Sequence, residues 1–332
     1  MGARRPGCDL CEVGDLDVAA ACALLRTARA LIPAASGEQA QGRRLADVLR
    51  GVQILSLFAE PSTRTRISFA VAAQRLGAGI IDFHHDASSS ASKGETEFDA
   101  LRNLDAMGFA AVVTRDRRDG HPRRMTEFLR ARVVNAGDGV REHPTQALLD
   151  TLTLLEAFAL EPVPGAMRGL RVAICGDVRH GRVAHSDMRL MTLLGAEVAV
   201  AGPDALMPDD LGAYARSGLT RAPGLDAALD GAHAAIMLRV QRERLAGVAV
   251  ADEAEYHAQW GLDARRLARL DARGVVLHPG PMNRGVEISD EVADGPRSRV
   301  LRQVTLGVAV RMAVLARACG VELPECLEEG AR

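Results

Sequence analysis

Lysine is almost absent from this chain. Of 41 basic residues, 40 are arginine and one, Lys93, is lysine. Arginine serves wherever charge or solubility is all that matters, but not where a compact ammonium must fit. The lone lysine in SSSASKGET therefore marks a place where the ammonium itself is needed. A block of like charge is also missing. The 41 basic residues face 43 acidic ones, for a net charge of −2, which argues against a charge-driven nucleic-acid partner. No apolar run reaches the ~18 residues of a membrane span, and the N-terminus lacks a signal-peptide pattern, so a cytoplasmic protein with no membrane partner is expected. The six cysteines are scattered. Cys8 and Cys11 form a C-x-x-C with no second pair to complete a zinc site, and the spacing reads as coincidence.

The absent motifs exclude whole chemistries. There is no G-x-x-x-x-G-K-[ST] loop for a nucleoside triphosphate. GDVRHG stands where a dinucleotide fingerprint would, but it is not G-x-G-x-x-G. No H-x-x-x-H pair or Cys/His cluster has metal-ligand spacing, and no G-x-S-x-G elbow carries a serine nucleophile. Neither cofactor nor metal is expected.

What is present is a βα rhythm. With 332 residues, 48% hydrophobic and 25% charged, the chain is long enough for two domains with separate cores. Residues 15–49 show helical spacing, followed by a strand at 52–58 and a helix from Ser62 to Gly77. Further strands are expected at 80–83, 110–113 and 132–135, the last closing in an AGDG turn. A polar, serine-rich surface loop covers His84–Gly94, and a long helix covers Gln146–Phe158. Glu161–Gly169, with two prolines and two glycines, reads as a domain boundary. Beyond it, strands at 170–175, 198–201, 234–238 and 274–277 alternate with helices, and an amphipathic helix closes the chain at 299–318. The expected architecture is α/β: two doubly wound parallel-sheet domains, 1–160 and 161–298, with the active site in the interdomain cleft.

The stretch from Val52 to Gly77, VQILSLFAEPSTRTRISFAVAAQRLG, admits two readings. Ser62-Thr63-Arg64-Thr65 opens a helix, whose free N–H groups and positive dipole end attract anions. Hydroxyls and guanidiniums there suit a phosphate. Equally, Ser62 could be only a cap and both arginines solvated. Position breaks the tie. Ser62–Arg66, Arg115, His143–Gln146, Arg182, Arg239–Gln241 and His278–Pro281 all follow the carboxyl end of an expected strand, the edge where open α/β sheets bind ligands. Arg64, Arg115, Lys93 and His143 supply charge for a phosphate. Arg182 and Arg239, with Gln241, suit two carboxylates. Many anion-binding groups without nucleophile or metal point to direct transfer between two bound substrates.

FAEPSTRTRISF, SKGET, NAGDGVREHPTQALLD, GRVAHS, LRVQRERL and HPGPMNRGVEI resemble, in order and spacing, motifs of the aspartate/ornithine carbamoyltransferase superfamily, over about residues 12–318. E-P before Ser62, R-x-Q at 239–241 and H-P-G-P at 278–281 resemble the aspartate branch. The resemblance implies transfer of the carbamoyl group of carbamoyl phosphate to L-aspartate, an early step of pyrimidine synthesis, without a covalent intermediate or cofactor. It implies that Ser62, Thr63, Arg64 and Thr65 hold the phosphate, and that Arg115, His143 and Gln146, with Thr65, hold and polarise the carbamoyl group. Arg182, Arg239 and Gln241 would bind aspartate, and the Gly280-Pro281 backbone would contact the carbamoyl amide. Ser89 and Lys93 would reach a neighbouring subunit's site, making the unit a homotrimer with shared active sites, open to wider assembly with other chains of the pathway. The last helix would pack back on the first domain.

Departures accompany the resemblance. Asp116 stands where the family usually has histidine, placing a carboxylate beside Arg115. Ala59, Ala70, Ala100, Glu142 and Leu306 also differ. They leave two alternatives: a relative that carbamoylates another amine, and an inactive homologue serving as a structural partner.

Overall fold

The computed structural model describes residue 4 and residues 7–38, 45–83, 96–215, 217–240 and 252–323. The described chain divides into two compact units, one of residues up to 145 together with those from 305 onward, the other of residues 146–304.

In the first unit, strands β1 (Gln53–Phe58), β2 (Gly79–Phe83), β3 (Ala111–Asp116) and β4 (Arg132–Asp138) form a parallel sheet in the order β2-β1-β3-β4. Helices α1 (Val18–Ala30), α2 (Ile32–Ala35), α3 (Thr63–Arg75), α4 (Glu97–Ala106) and α5 (His121–Met125) belong to this unit, and α6 (Pro144–Ala157) starts in it. Apolar β-strands buried on both faces are what a crossover-connected parallel sheet requires. Leu55, Leu57, Val112, Val133, Leu101 and Met125 accordingly meet in one cluster. Each such side chain contributes about 1.5–3 kcal/mol by leaving water.

The second unit holds β5 (Arg171–Cys175), β6 (Glu197–Ala201), β7 (Leu219–Arg221), β8 (Ala234–Met237) and β9 (Val275–Leu277), parallel and ordered β7-β6-β5-β8-β9. Its helices are most of α6, then α7 (Arg182–Leu193), α8 (Leu225–Leu229), α9 (Glu253–Trp260), α10 (Ala264–Leu267) and α11 (Asp290–Ala293). The final helix, α12 (Val300–Ala318), begins in the second unit and contributes residues from 305 onward to the first. There Arg311 Nη1 donates to Ser68 Oγ at 2.9 Å, and its guanidinium lies 5.2 Å from the centre of the Phe69 ring. Cys8 N donates to the Arg317 carbonyl, tying the start of the described chain to the same helix.

Two parallel α/β sheets agree with the fold read from sequence. The differences are local. Ala136–Asp138 of the expected AGDG turn are strand, because β4 carries one more residue than β3 between the pairs Thr114↔Asn135 and Asp116↔Asp138. The expected long first helix is α1 and α2 in the described residues, parted at Leu31; Pro33, the second residue of α2, has no N–H to donate back to the preceding turn. Strand β7 and helices α9 and α10 were not anticipated; β7 has only three residues, two of them exposed, too little to make a pattern. The surface loop expected at His84–Gly94 lies outside the described residues. Among the described residues, no helix is long and apolar enough to cross a membrane.

Candidate active site

In each sheet, strand order reverses once between neighbours, at β1/β3 and at β5/β8. Crevices at such switch points, beyond the carboxyl ends of the strands, are where doubly wound sheets bind ligands. The expected site residues of each unit gather around these two points.

In the first unit β1 ends at Phe58 and α3 starts at Thr63 with Ser62 as its N-cap residue. The Ser62 side chain makes no capping hydrogen bond, and the first turn of α3 contains no acidic residue. The cap reading therefore does not account for the hydroxyl, and the positive end of the helix is not neutralised from within its first turn. Thr63 and Arg64 are exposed, Ser62 half-buried and Thr65 buried. Beside them Arg115, near the end of β3, pairs in register with Phe58, and its carbonyl accepts from Ala59 N at 2.9 Å. Its guanidinium is held twice: Nη2 donates to Glu60 Oε1 at 2.8 Å and Nη1 to the Ala136 carbonyl at 3.0 Å. The second contact uses the extra residue of β4, so the bulge aims the arginine.

His143 follows a tight turn after β4. Asp138 builds that turn: its Oδ1 accepts from Asn135 Nδ2 and Glu142 N, and its Oδ2 from Gly120 N. His143 is buried, with Thr145 Oγ1 3.5 Å from its Nδ1.

Asp116 does not crowd Arg115. Successive side chains of a strand face opposite ways, and Asp116 meets Arg118 at 2.7 and 2.9 Å. Burial weighs most against its charge, but the hydrogen bonds from the Arg118 side chain and backbone together outweigh it and hold the carboxyl below the usual range. Arg118 also lowers Glu97, while burial lowers the pKa of His121 and favours its neutral form. Glu97, Asp116 and His121 bring three possible metal-ligating atoms within 4.8 Å of one another. Arg118 Nη2 is already 2.5, 2.7 and 3.2 Å from them, so a guanidinium supplies the positive charge there.

In the second unit Arg182 is the first residue of α7, after β5, and is half-buried. Asp177 shapes the approach, accepting from His180 N at 3.2 Å and His180 Nδ1 at 2.8 Å. Gly176, at φ +123°, lies where a Cβ would meet the Leu238 carbonyl at 2.9 Å, so only glycine lets the ends of β5 and β8 come this close. Arg239, just past β8, is exposed. After β9, His278 is buried, and Gly280 adopts φ +67° before a cis bond to Pro281. Gln146, buried on α6, donates from Nε2 to Asp150 Oδ1 at 3.0 Å.

The structure thus gathers Ser62–Thr65, Arg115 and His143 at one sheet edge of the first unit, and Arg182, Arg239 and Gly280-Pro281 at one edge of the second, whose helix α6 carries Gln146. Ser89, Lys93 and Gln241 lie outside the described residues. Glu60, which orients Arg115, was missed as a partner, although it stands within the EPSTR motif.

The family profile described as aspartate/ornithine carbamoyltransferase, carbamoyl-P binding domain, matches residues 9–156, and its Asp/Orn binding domain matches residues 168–318. An aspartate carbamoyltransferase catalytic subunit of Novosphingobium aromaticivorans is 48% identical over 276 residues, 83% of this chain and 80% of that one. The subunit of the same name from Salinispora arenicola is 46% identical across 91% of this chain and 94% of its own. Among solved structures, aspartate transcarbamoylase of Trypanosoma cruzi in complex with N-(phosphonacetyl)-L-aspartic acid superimposes with a TM-score of 0.80 at 31% identity, covering 94% of this chain and 96% of that one. Ornithine carbamoyltransferase of Thermus thermophilus also gives 0.80, at 28% identity, covering 93% of this chain and 98% of that one.

Proposed function

Since the chain belongs to the aspartate/ornithine carbamoyltransferase family, we infer that it transfers the carbamoyl group of carbamoyl phosphate to the amine of L-aspartate. The products are N-carbamoyl-L-aspartate and phosphate. The observation that carries this reading is the helix start at Ser62–Thr65: no side-chain cap, no acid in the first turn, and Arg115 braced alongside. A dianionic phosphate suits that combination.

The roles follow from the chemistry of each group. Ser62, Thr63, Arg64 and Thr65 hold the phosphate through hydroxyls, a guanidinium and helix N–H groups. Arg115, braced by Glu60 and the Ala136 carbonyl, and His143 hold the carbamoyl oxygen, with Thr65 alongside. As the neutral amine of aspartate attacks the carbonyl carbon, negative charge grows on that oxygen, and donors already in place stabilise it without reorganising. The C–O bond to phosphate then breaks, phosphate departs with its electron pair among the cations, and it can take up the amine proton. Gln146 and the Gly280-Pro281 backbone orient the carbamoyl amide. Arg182, Arg239 and Gln241 bind the two carboxylates of aspartate. Both units contribute to one reaction, the first (1–160 with the final helix) mainly to carbamoyl phosphate and the second (161–298) mainly to aspartate. Ser89 and Lys93 reach the site of a neighbouring subunit, which makes the working unit a homotrimer, cytoplasmic and part of pyrimidine synthesis.

The test is to mix the purified protein with carbamoyl phosphate and a panel of amines and measure ureido product. Product from aspartate, and little from ornithine or other amines, is expected; product only from a different amine overturns the acceptor.

A further inference from the structure

Gln146, the turn that ends in Gly280-Pro281 and the neighbour of Arg239 are joined by a line of buried polar groups that the reaction itself does not require. Gln146 Nε2 donates to Asp150 Oδ1 at 3.0 Å, and Gln303 Nε2 donates to the same oxygen at 2.5 Å. Gln303 Oε1 accepts from His278 N at 3.0 Å. His278 Nδ1 accepts from Gly280 N at 2.8 Å, which leaves Nε2 to donate to Glu287 Oε1 at 3.0 Å. That oxygen also accepts from Asn283 N at 2.5 Å, and Asn283 Nδ2 donates at 2.8 Å to the carbonyl of Val240, the neighbour of Arg239. Asp150, His278, Glu287 and Gln303 are at most 3% exposed.

The sense of each bond is forced. A backbone N–H only donates, so Gln303 turns Oε1 to His278 N and Nε2 to Asp150 Oδ1, and the same oxygen accepts from Gln146 Nε2. A glutamine free to flip would offer a ligand either its NH2 or its oxygen; facing Asp150, it cannot. Gln303, accepting from His278 N, so holds the turn that ends in Gly280-Pro281. Asp187, on the helix that Arg182 begins, is fully buried with no well-formed hydrogen bond of its own. Burial first, and the charge and proximity of Asp150 second, push its carboxyl well above the usual range. A protonated Asp187 beside Asp150 leaves Asp150 as the acceptor.

We propose that Asp150 is a positioning residue for carbamoyl transfer: through one oxygen it sets Gln146 directly and the 278–281 turn by way of Gln303. The inference rests on the reading of Gln146 and Gly280-Pro281 as carbamoyl ligands. It adds the residues that make those ligands single-valued.

The test is a double-mutant cycle on the full-length protein, with kcat and KM for carbamoyl phosphate as readouts. Gln146→Ala is expected to lower kcat/KM about tenfold or more, Asp150→Ala to reproduce that loss, and the double variant to be little worse than either. Losses that multiply would show that Asp150 does not act through Gln146 and overturn the proposal. Should Asp150→Ala fail to fold, Asp150→Asn decides: its Oδ1 still accepts from both glutamines while its amide donates towards Asp187. Near wild-type kcat/KM is expected, and a loss as large as that of Gln146→Ala overturns the proposal. A fully active Gln146→Ala would instead strike the reading of Gln146 as a ligand. An impaired Gln146→Ala beside a fully active Asp150→Ala would leave that reading standing and remove the inference.

Discussion

Asp116 and Asp187 are both aspartates at most 4% exposed, one in each unit, and both stand in segments that carry a strand-end arginine. Arg118 reaches Asp116 with two hydrogen bonds and Glu97 with two more, and the pair stays ionised. Among the described residues, what acts on Asp187 is burial first and a second carboxyl, Asp150, next, and both favour its protonated form. Similar burial of the same side chain gives opposite shifts, and the partner decides. At the expected site of the first unit a charge is braced by a charge, Arg115 by Glu60; in the second, beside its arginines, buried amides are oriented by a buried acceptor.

The largest test falls on the charged edge. Arg115→Ala is expected to lower kcat/KM by about 10²–10³, the scale of losing a preorganised donor to a developing oxyanion, with Glu60→Gln costing less because Ala136 still holds the other guanidinium nitrogen. A loss under tenfold for Arg115→Ala, measured at saturating aspartate, would break the contrast between the units. Next in size, Arg118→Ala should destabilise by about 1 kcal/mol at neutral pH, discounted because half of this side chain remains in water. Arg118 depresses the folded-state values of Glu97 and Asp116, so its stabilisation is present above the unfolded carboxylate range near 4 and fades as pH falls through the lower folded values. Urea unfolding of both proteins from pH 7 downward should show the difference shrinking. The smallest effect belongs to Asp187→Asn at or below about pH 4, within about 0.5 kcal/mol because there a neutral group replaces a neutral group in both the folded and the unfolded chain. The folded-state value is raised here, so the wild-type contribution is full below the unfolded range and is lost as pH rises. The asparagine variant has no such loss, and its melting temperature should gain on the wild type towards pH 9. Parallel slopes for the Arg118 and Asp187 variants would show that the two acids are not held differently.

Much of this was readable in the residues. Apolar strands of four to six residues followed by polar motifs gave both sheets, and motif position gave the edges. Asp116 could not be read correctly from its neighbours in sequence: beside Arg115 it looks like a disturbance, yet strand alternation turns it towards Arg118 and Glu97, the latter 19 residues earlier. Gln303 was invisible as a partner because nothing local distinguishes a buried glutamine on an amphipathic helix from an exposed one, and Glu287 because its partner His278 lies across a turn. Asp150 did leave a sign. In QALLDTLTLL it sits among leucines four positions after Gln146, where an acid has no polar face to occupy and needs a buried donor.

Arg311 and its helix carry one more consequence. The second unit is a single run, residues 146–304, whereas the first needs residues on both sides of it. During synthesis, α3 therefore emerges long before the Arg311 that donates to Ser68 and before Leu306, Val310, Met312 and Leu315, which complete the core of that unit. A chain stopped after Val304 should keep a protease-resistant second unit while the first is digested. The unit begun first is thus completed only after the other has been made, and α3 gains its bond from Arg311 only then.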